Sequence, residues 1–448
     1  MPKTDLRSWR RLTLDQVYLA LGTIVLAGMV LIATTRLNIL PGDVLTIDDL
    51  SGGGDMLRQL LYFAGFAIMV LTAEPVRHPR RLIALPLSML VVIAWCVASI
   101  GWAIEPSVAA RRLVLALLVI WIGFRTVNDL GPRRAMAVVL YVTSALLLAN
   151  LAAVAVLPEA VHHSRGAMFD DSITGAWRGI LPEKNGAGLT TATTLLLLLF
   201  GLGRFPMLVR LGLIALCVLF LIGTQSKTST GLVIVSTIAG GLFQLYRPSM
   251  RVLLAPLLVI MLAAATCLAW IYLPPYLDEL DSSLGAFTGR IQIWRILVQF
   301  IADHPLLGTG FGSMWNIGPS SPIYSYTSIE WIRLGITQGH NGYLDMAAQI
   351  GLVGCLLGVL AFFILPIAKV LASPTIQRGP GGLSLALLVF GVLYNLTESA
   401  ILVPDHFGQV MLVLAIAAVE QLRKPRLERW PAAAVIGVPA CPGIVRAV

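Results

Sequence analysis

Runs of apolar residues alternate with short polar connectors along almost the whole chain, and a helix needs about twenty such residues to cross the hydrocarbon core of a bilayer. Candidate runs stand near 17–35, 58–75, 82–103, 113–128, 135–157, 186–203, 207–224, 229–246, 252–273, 341–371, 383–401 and 405–422. Backbone groups in lipid must be satisfied within the segment, so runs of this kind read as helices. Composition agrees. The 448 residues are 57% hydrophobic and 12% charged, with mean hydropathy +0.84, whereas a soluble globule carries about 25% charged residues. The expectation is an all-α fold: one polytopic membrane domain over residues 1–448 with about twelve spans, leaving no room for a second domain.

Basic residues set the orientation of such a chain. Lys3, Arg7, Arg10 and Arg11, then Arg77, Arg80 and Arg81, then Arg133 and Arg134, then Arg423, Lys424, Arg426 and Arg429 fall on one side. Asp43, Asp48, Asp49 and Asp55 fall on the other. Both termini are therefore expected in the cytoplasm. The net charge of +9 is a topology signal, and nucleic acid is not an expected partner, because the basic residues are scattered through short loops. The first apolar run is long and lacks a small-residue cleavage site, so it reads as a first span. Cys96, Cys217, Cys267 and Cys355 fall in spans and Cys441 in the tail, which offers no disulfide and no thiolate zinc site.

Two outer loops are long, about 158–185 and about 274–340, and long loops in compact domains are often functional. The tail 430–448 is rich in Pro and Ala and is expected to be a disordered cytoplasmic segment. The second loop holds one readable helix, from a Thr288 N-cap to about Asp303, before Pro305. Gln292, Arg295, Gln299 and Asp303 make its polar stripe, and Ile293, Trp294, Ile296, Leu297, Phe300 and Ile301 fill the rest. The pattern suits a helix lying at the membrane interface. Arg295 is its ordinary solvated charge. Arg290 projects with Trp294, Leu297 and Ile301, opposite that stripe, in the first turn, where free N–H groups favour an anion. Its alternatives are to snorkel or to pair with an acid such as Asp281.

Cations gather near the outer span ends. Lys227 lies in the tight turn Gly223–Ser229, Arg178 and Lys184 lie in Gly175–Asn185, and Arg111 and Arg112 open the fourth span. Guanidinium and ammonium groups neutralise phosphate oxygens; headgroup contact is the ordinary reading of each one alone. Asp170-Asp171 could hold a divalent ion but reads better as a solvated acidic loop, and His162-His163 reads as surface. No metal and no cofactor are expected. His340, at the mouth of the tenth span, is the acid/base candidate, its tautomer fixed by Asn341 or a backbone carbonyl. The glycines of Leu307–Gly312 are expected to make a tight turn back to the membrane, since no strand precedes them.

Gly289-Arg290…Trp294…His304-Pro305-Leu306-Leu307-Gly308-Thr309-Gly310-Phe311-Gly312, then His340-Asn341-Gly342-Tyr343-Leu344 and Gly351-Leu352-Val353-Gly354, resembles the O-antigen ligase/polymerase superfamily. Trp177-Arg178-Gly179-Ile180 with Lys184-Asn185 is similar to its ExoQ-like exopolysaccharide polymerase branch. The resemblance implies an all-helical glycosyltransferase of the bacterial inner membrane, with a large periplasmic loop over a periplasmic active site. It implies a glycan on undecaprenyl pyrophosphate as donor and acceptor, with membrane lipid and other polysaccharide assembly and export proteins as partners. His340 would be general base and Arg290 would bind pyrophosphate. Lys227, Arg178, Lys184, Asn185, Asn341 and Trp294 would line the substrate site. Lys227 stands where the family often has Arg, which keeps charge but loses bidentate geometry. Transfer would be metal-independent and inverting, and the Trp-Arg-Gly element favours polymerase over ligase. A flippase or transporter is the rival of another class; it would line its midplane with ionisable groups, whereas these charges gather at the outer face.

Overall fold

The computed structural model of the chain describes residues 14–35, 55–161, 174–201, 205–256 and 289–424. Eleven of the apolar runs contain a helix: α1 Leu14–Thr34, α2 Met56–Thr72, α3 Leu87–Ser99, α4 Pro106–Leu130, α5 Pro132–Val156, α6 Lys184–Leu199, α7 Met207–Thr224, α8 Lys227–Leu245, then, beyond the loop helix α9 Arg290–Asp303, α10 Gly342–Val359, α12 Arg378–Tyr394 and α13 Phe407–Arg423. A π-turn, Leu360–Ile364, joins α10 to α11 Leu365–Ala372. The run near 252–273 falls largely outside the described residues, as do Asp170-Asp171, His162-His163, Asp281, Thr288 and the 430–448 tail. Among the described residues six helices are long and apolar enough to cross a membrane, and Met56–Thr72, Leu87–Trp102 and Arg378–Tyr394 are shorter apolar helices. The protein is an all-α, multi-pass membrane protein. Large apolar side chains such as Leu208 (83% exposed), Ile222 (67%) and Ile24 (64%) face outward, as a lipid-facing surface requires.

Small residues set the helix spacing that positions the site. On α8 and α12, a Cβ on Gly240 would press on the Gly382 carbonyl, and one on Gly382 on the Gly240 carbonyl. The two backbones therefore touch, as small residues permit between membrane helices. That contact brings the start of α8 to the end of α12, where Thr228 Oγ1 and Thr397 Oγ1 lie 3.5 Å apart. Gly188 likewise lets α6 lie against Ser226 and Ser229.

The loop helix α9 differs from its sequence-based outline. Its cap is Gly289 at φ +71°, not Thr288. Its apolar face does not lie on lipid. Ile293, Ile296, Leu297 and Phe300 pack with Met314, Trp315, Ile323, Ile332 and Ala348 into a second core, separate from that of the bundle. Each such side chain is worth roughly 1.5–3 kcal/mol on burial, so the loop is a folded cap with its own interior. Arg295 is exposed, whereas Arg290 is half-buried.

The glycine-rich segment does more than turn. α10 is broken at Ile350 (φ −116°, ψ 15°) and Gly351 (φ 71°, ψ 174°), and residues 305–309 lie in the break. Leu352 N–H donates to the Pro305 carbonyl at 2.8 Å, Thr309 N–H to that of Ala348 at 2.9 Å, and Trp95 Nε1–H to that of Ile350 at 2.9 Å. The backbone groups freed by the break are thereby satisfied, as an irregular segment beside a bilayer demands. A Cβ on Gly351 would collide with the Leu306 carbonyl. Beyond it, Phe311 N–H donates to Ser99 Oγ at 3.0 Å and Trp102 Nε1–H to the Leu307 carbonyl at 3.0 Å. Arg112, one of the sequence-noted cations, donates to the carbonyls of Gly312, Trp315 (2.7 Å) and Asn316 (3.0 Å). It fastens the cap to α4.

Candidate active site

Beyond the end of α12 the chain makes a tied-down connection, 395–406. Asn395 Oδ1 accepts from the N–H groups of Ala400 (3.0 Å) and Ile401 (2.8 Å), and the Asn395 carbonyl accepts from Gly342 N–H at 2.9 Å. A side chain at 342 would collide with Asn395. The start of α10 is thus held flush against this connection, and Glu398 is presented to it.

Three side chains singled out in the sequence converge on Glu398. Arg290 Nη2–H donates to Oε1 at 2.5 Å, Asn185 Nδ2–H donates to Oε1 at 2.8 Å, and His340 Nδ1 lies 3.0 Å from Oε2. They arrive from the start of α9, the start of α6 and the turn before α10. The side chains of Glu398, Arg290 and His340 are 5%, 14% and 20% exposed. Burial pushes the Glu398 carboxyl up, but the His340 hydrogen bond and the Arg290 charge outweigh it and hold the carboxyl below its ordinary range. Glu398 is an anion at neutral pH. Arg290 also donates Nη1–H to the Thr397 carbonyl at 2.8 Å.

His340 sits at φ +49°, a left-handed conformation that costs a non-glycine residue roughly 1–3 kcal/mol. With Nδ1 protonated toward the carboxylate, Nε2 keeps its lone pair for a proton. The group that orients the ring is Glu398 rather than Asn341 or a backbone carbonyl. Asn341 has other work: Oδ1 caps α10 by accepting from the N–H groups of Tyr343 and Leu344, each at 3.1 Å, and Nδ2–H donates to the Leu396 carbonyl at 3.1 Å.

The remaining candidates divide. Lys227, exposed at the start of α8, is one residue from the Thr228–Thr397 contact, and Lys184 precedes Asn185 at the start of α6. Trp294 Nε1–H donates to the Gly339 carbonyl at 3.0 Å, so its polar edge is spent on the turn that carries His340. Arg178 donates to the carbonyls of Glu159 (2.8 Å) and Pro182 (3.2 Å). Its neighbour Trp177 donates N–H to the Gly223 carbonyl at 2.8 Å and fills the space where a Gly223 side chain would stand. Trp177 thus secures the 174–183 loop to the turn before Lys227, and Arg178 ties the same loop to residues 159–160 beyond α5. Sequence reasoning missed Glu398 as a site residue. Its only signal is an acid near the end of the apolar run 383–401.

An oriented imidazole and a guanidinium paired with a buried carboxylate, with Lys184 and Lys227 at the starts of adjoining helices, can together take a proton from a hydroxyl and meet charge building on a phosphate. Residues 188–359 match a family model described as O-Antigen ligase. Over that segment the chain is similar to the O-antigen ligase family. No curated protein matches the chain. The matched segment holds Lys227, Arg290, Trp294, His340 and Asn341; Arg178, Lys184 and Asn185 precede it and Glu398 lies beyond it.

Proposed function

We propose that this chain, similar to the O-antigen ligase family over residues 188–359, is a glycosyltransferase acting on the periplasmic face of the bacterial inner membrane. It joins undecaprenyl-pyrophosphate-linked oligosaccharide repeats into exopolysaccharide or O-antigen, without metal or nucleotide sugar. The observation that supports the reading is the meeting of His340, Arg290 and Asn185 on buried Glu398. His340 Nε2 takes the proton of an acceptor hydroxyl as its oxygen attacks the donor's anomeric carbon. The new C–O glycosidic bond forms as the bond to the pyrophosphate oxygen breaks, and the leaving group departs with the electron pair. Attack from the opposite face inverts the anomeric centre. Arg290, with Lys227 and Lys184 near it, meets the charge on the leaving pyrophosphate, as positive groups in a partly buried site do best. Glu398 keeps Nδ1 protonated and stabilises the imidazolium formed. Membrane lipid and assembly or export proteins complete the expected partners.

The test is the length and sidedness of undecaprenyl-linked glycan in a deletion strain. Single repeats accumulating on the periplasmic face are expected. Long lipid-linked chains there would instead mark a ligase that moves finished glycan to lipid A core. Repeats trapped on the cytoplasmic face would mark a transporter.

A further inference from the structure

The N–H groups of the residues before and after His340 are tied to one buried carboxylate, that of Asp345 in the first turn of α10, the first directly and the second through Ser399. Gly339 N–H, before the histidine, donates to Asp345 Oδ1 and Oδ2 at 3.1 and 2.9 Å. Asn341 N–H, after it, donates to Ser399 Oγ at 3.1 Å, and Ser399 Oγ–H donates to Asp345 Oδ2. Trp315 Nε1–H, from the cap, takes Oδ1 at 2.7 Å. Every partner of Asp345 is a donor, so an ionised carboxylate fits the place and an amide does not. The first turn of a helix also favours an anion. A Cβ on Gly339 would strike Asp345 and Leu297, so the turn is packed directly on the carboxylate. Ser399 follows Glu398 in the chain. The same carboxylate therefore fixes the backbone that aims the imidazole and the backbone that presents its partner.

We propose that Asp345, acting through Ser399, is a positioning residue: it holds His340 in its left-handed conformation and in register with Glu398, so that Nε2 stands ready as the base. The proposal rests on the reading of His340 as base. Asp345 touches no substrate; it acts through the turn. In Asp345→Asn an amide N–H₂ must face Gly339 N–H, Trp315 or Ser399, and the turn relaxes.

The experiment uses full-length protein in lipid nanodiscs, with an undecaprenyl-pyrophosphate-linked repeat unit as donor. Kinetics are measured alongside ¹⁵N-histidine NMR, with the His340 signals assigned by His340→Gln. In Asp345→Asn, kcat is expected to fall about 100-fold, the scale of a misplacement near 1 Å, with the donor KM little changed. The His340 signals should move from the Nδ1–H tautomer toward the mixture of a free imidazole. Ser399→Ala, which severs Asp345 from Asn341 N–H, should do the same to a smaller degree, and it supplies the readout if Asp345→Asn does not accumulate. Unchanged kcat and unchanged His340 signals in folded Asp345→Asn would overturn the proposal. So would a loss of folded protein with kcat and donor affinity falling together and the tautomer intact, which marks a merely structural role. A wild-type protein inactive on this donor, with the tautomer still lost in Asp345→Asn, would uphold the positioning and sink the proposed reaction instead.

Discussion

At the scale of single residues, Glu398 decides most. Removing its charge leaves Arg290 buried beside a neutral group, and breaking a buried ion pair from one side costs about 3–5 kcal/mol. Glu398→Ala is expected to lose both activity and thermal stability in detergent, whereas Glu398→Gln should keep more stability and lose about 100-fold in turnover, the low end of what an oriented base contributes. Acid should weaken the fold through the same group. The folded protein holds the carboxyl below its ordinary range, so the unfolded chain binds more protons in that window and stability rises with pH across it. The contribution is complete above the carboxyl's unfolded pKa and is lost as pH falls through the folded one. Melting curves of wild type should therefore drop on acidification more steeply than those of Glu398→Gln; parallel curves would contradict the assignment. His340→Ala and Arg290→Ala should abolish polymer while the protein still inserts and accumulates, and Arg295→Ala should be mild, as suits an exposed side chain. Immunoblots and polymer gels of the variants check all three. Sequence reasoning could find Arg290, because a cation opposite a helix's polar stripe breaks a periodic pattern. It could find His340, because imidazoles are rare in so apolar a chain. It could not find Glu398's role, because a residue 58 positions from His340 is joined to it only by helix packing, which no local pattern encodes.

At the scale of elements, glycines carry the argument. Gly351→Ala places a methyl group against the Leu306 carbonyl at a residue that also needs φ +71°. It is expected to expel residues 305–309 from α10 and make the cap, 289–341, sensitive to protease in intact membranes, with total loss of polymer; a protease-resistant, active Gly351→Ala would refute the account of the break. Gly382→Val, on the α8–α12 contact, should push Thr397 from Thr228 and weaken the site without loosening the cap. Helices were legible because the need for twenty apolar residues is a property of each segment alone. The break in α10 was not: Gly351 read as part of a family motif, and only the approach of the distant segment 305–309 explains it. Nor was the true bed of α9. An apolar helix face says that something covers it, not whether lipid or a neighbouring side chain does.

At the scale of the whole molecule, the loops bearing Arg178, Lys227, Arg290, His340 and Glu398 gather at one end of the bundle, and the expected inside carries Arg133, Arg134 and Arg423. A membrane-impermeant thiol reagent should label Arg295→Cys from the periplasm and Arg423→Cys only after lysis; the reverse would invert the topology. Cys96 and Cys217 are buried, so background labelling from them should be low. The broken helix has a last consequence, in the order of biogenesis. Residues 352–372 alone are long enough to cross the hydrocarbon core, so the insertion machinery can release that segment before the cap has packed onto α10. The stretch from Gly342 to Ile350 then packs on both sides, Ala348 into the cap and Met346 and Ile350 into the bundle core, as residues 305–309 thread in beside Trp95. Glu398 is synthesised later still, so the newborn chain is anchored in the bilayer, and committed to its orientation, well before His340 has the carboxylate that orients it.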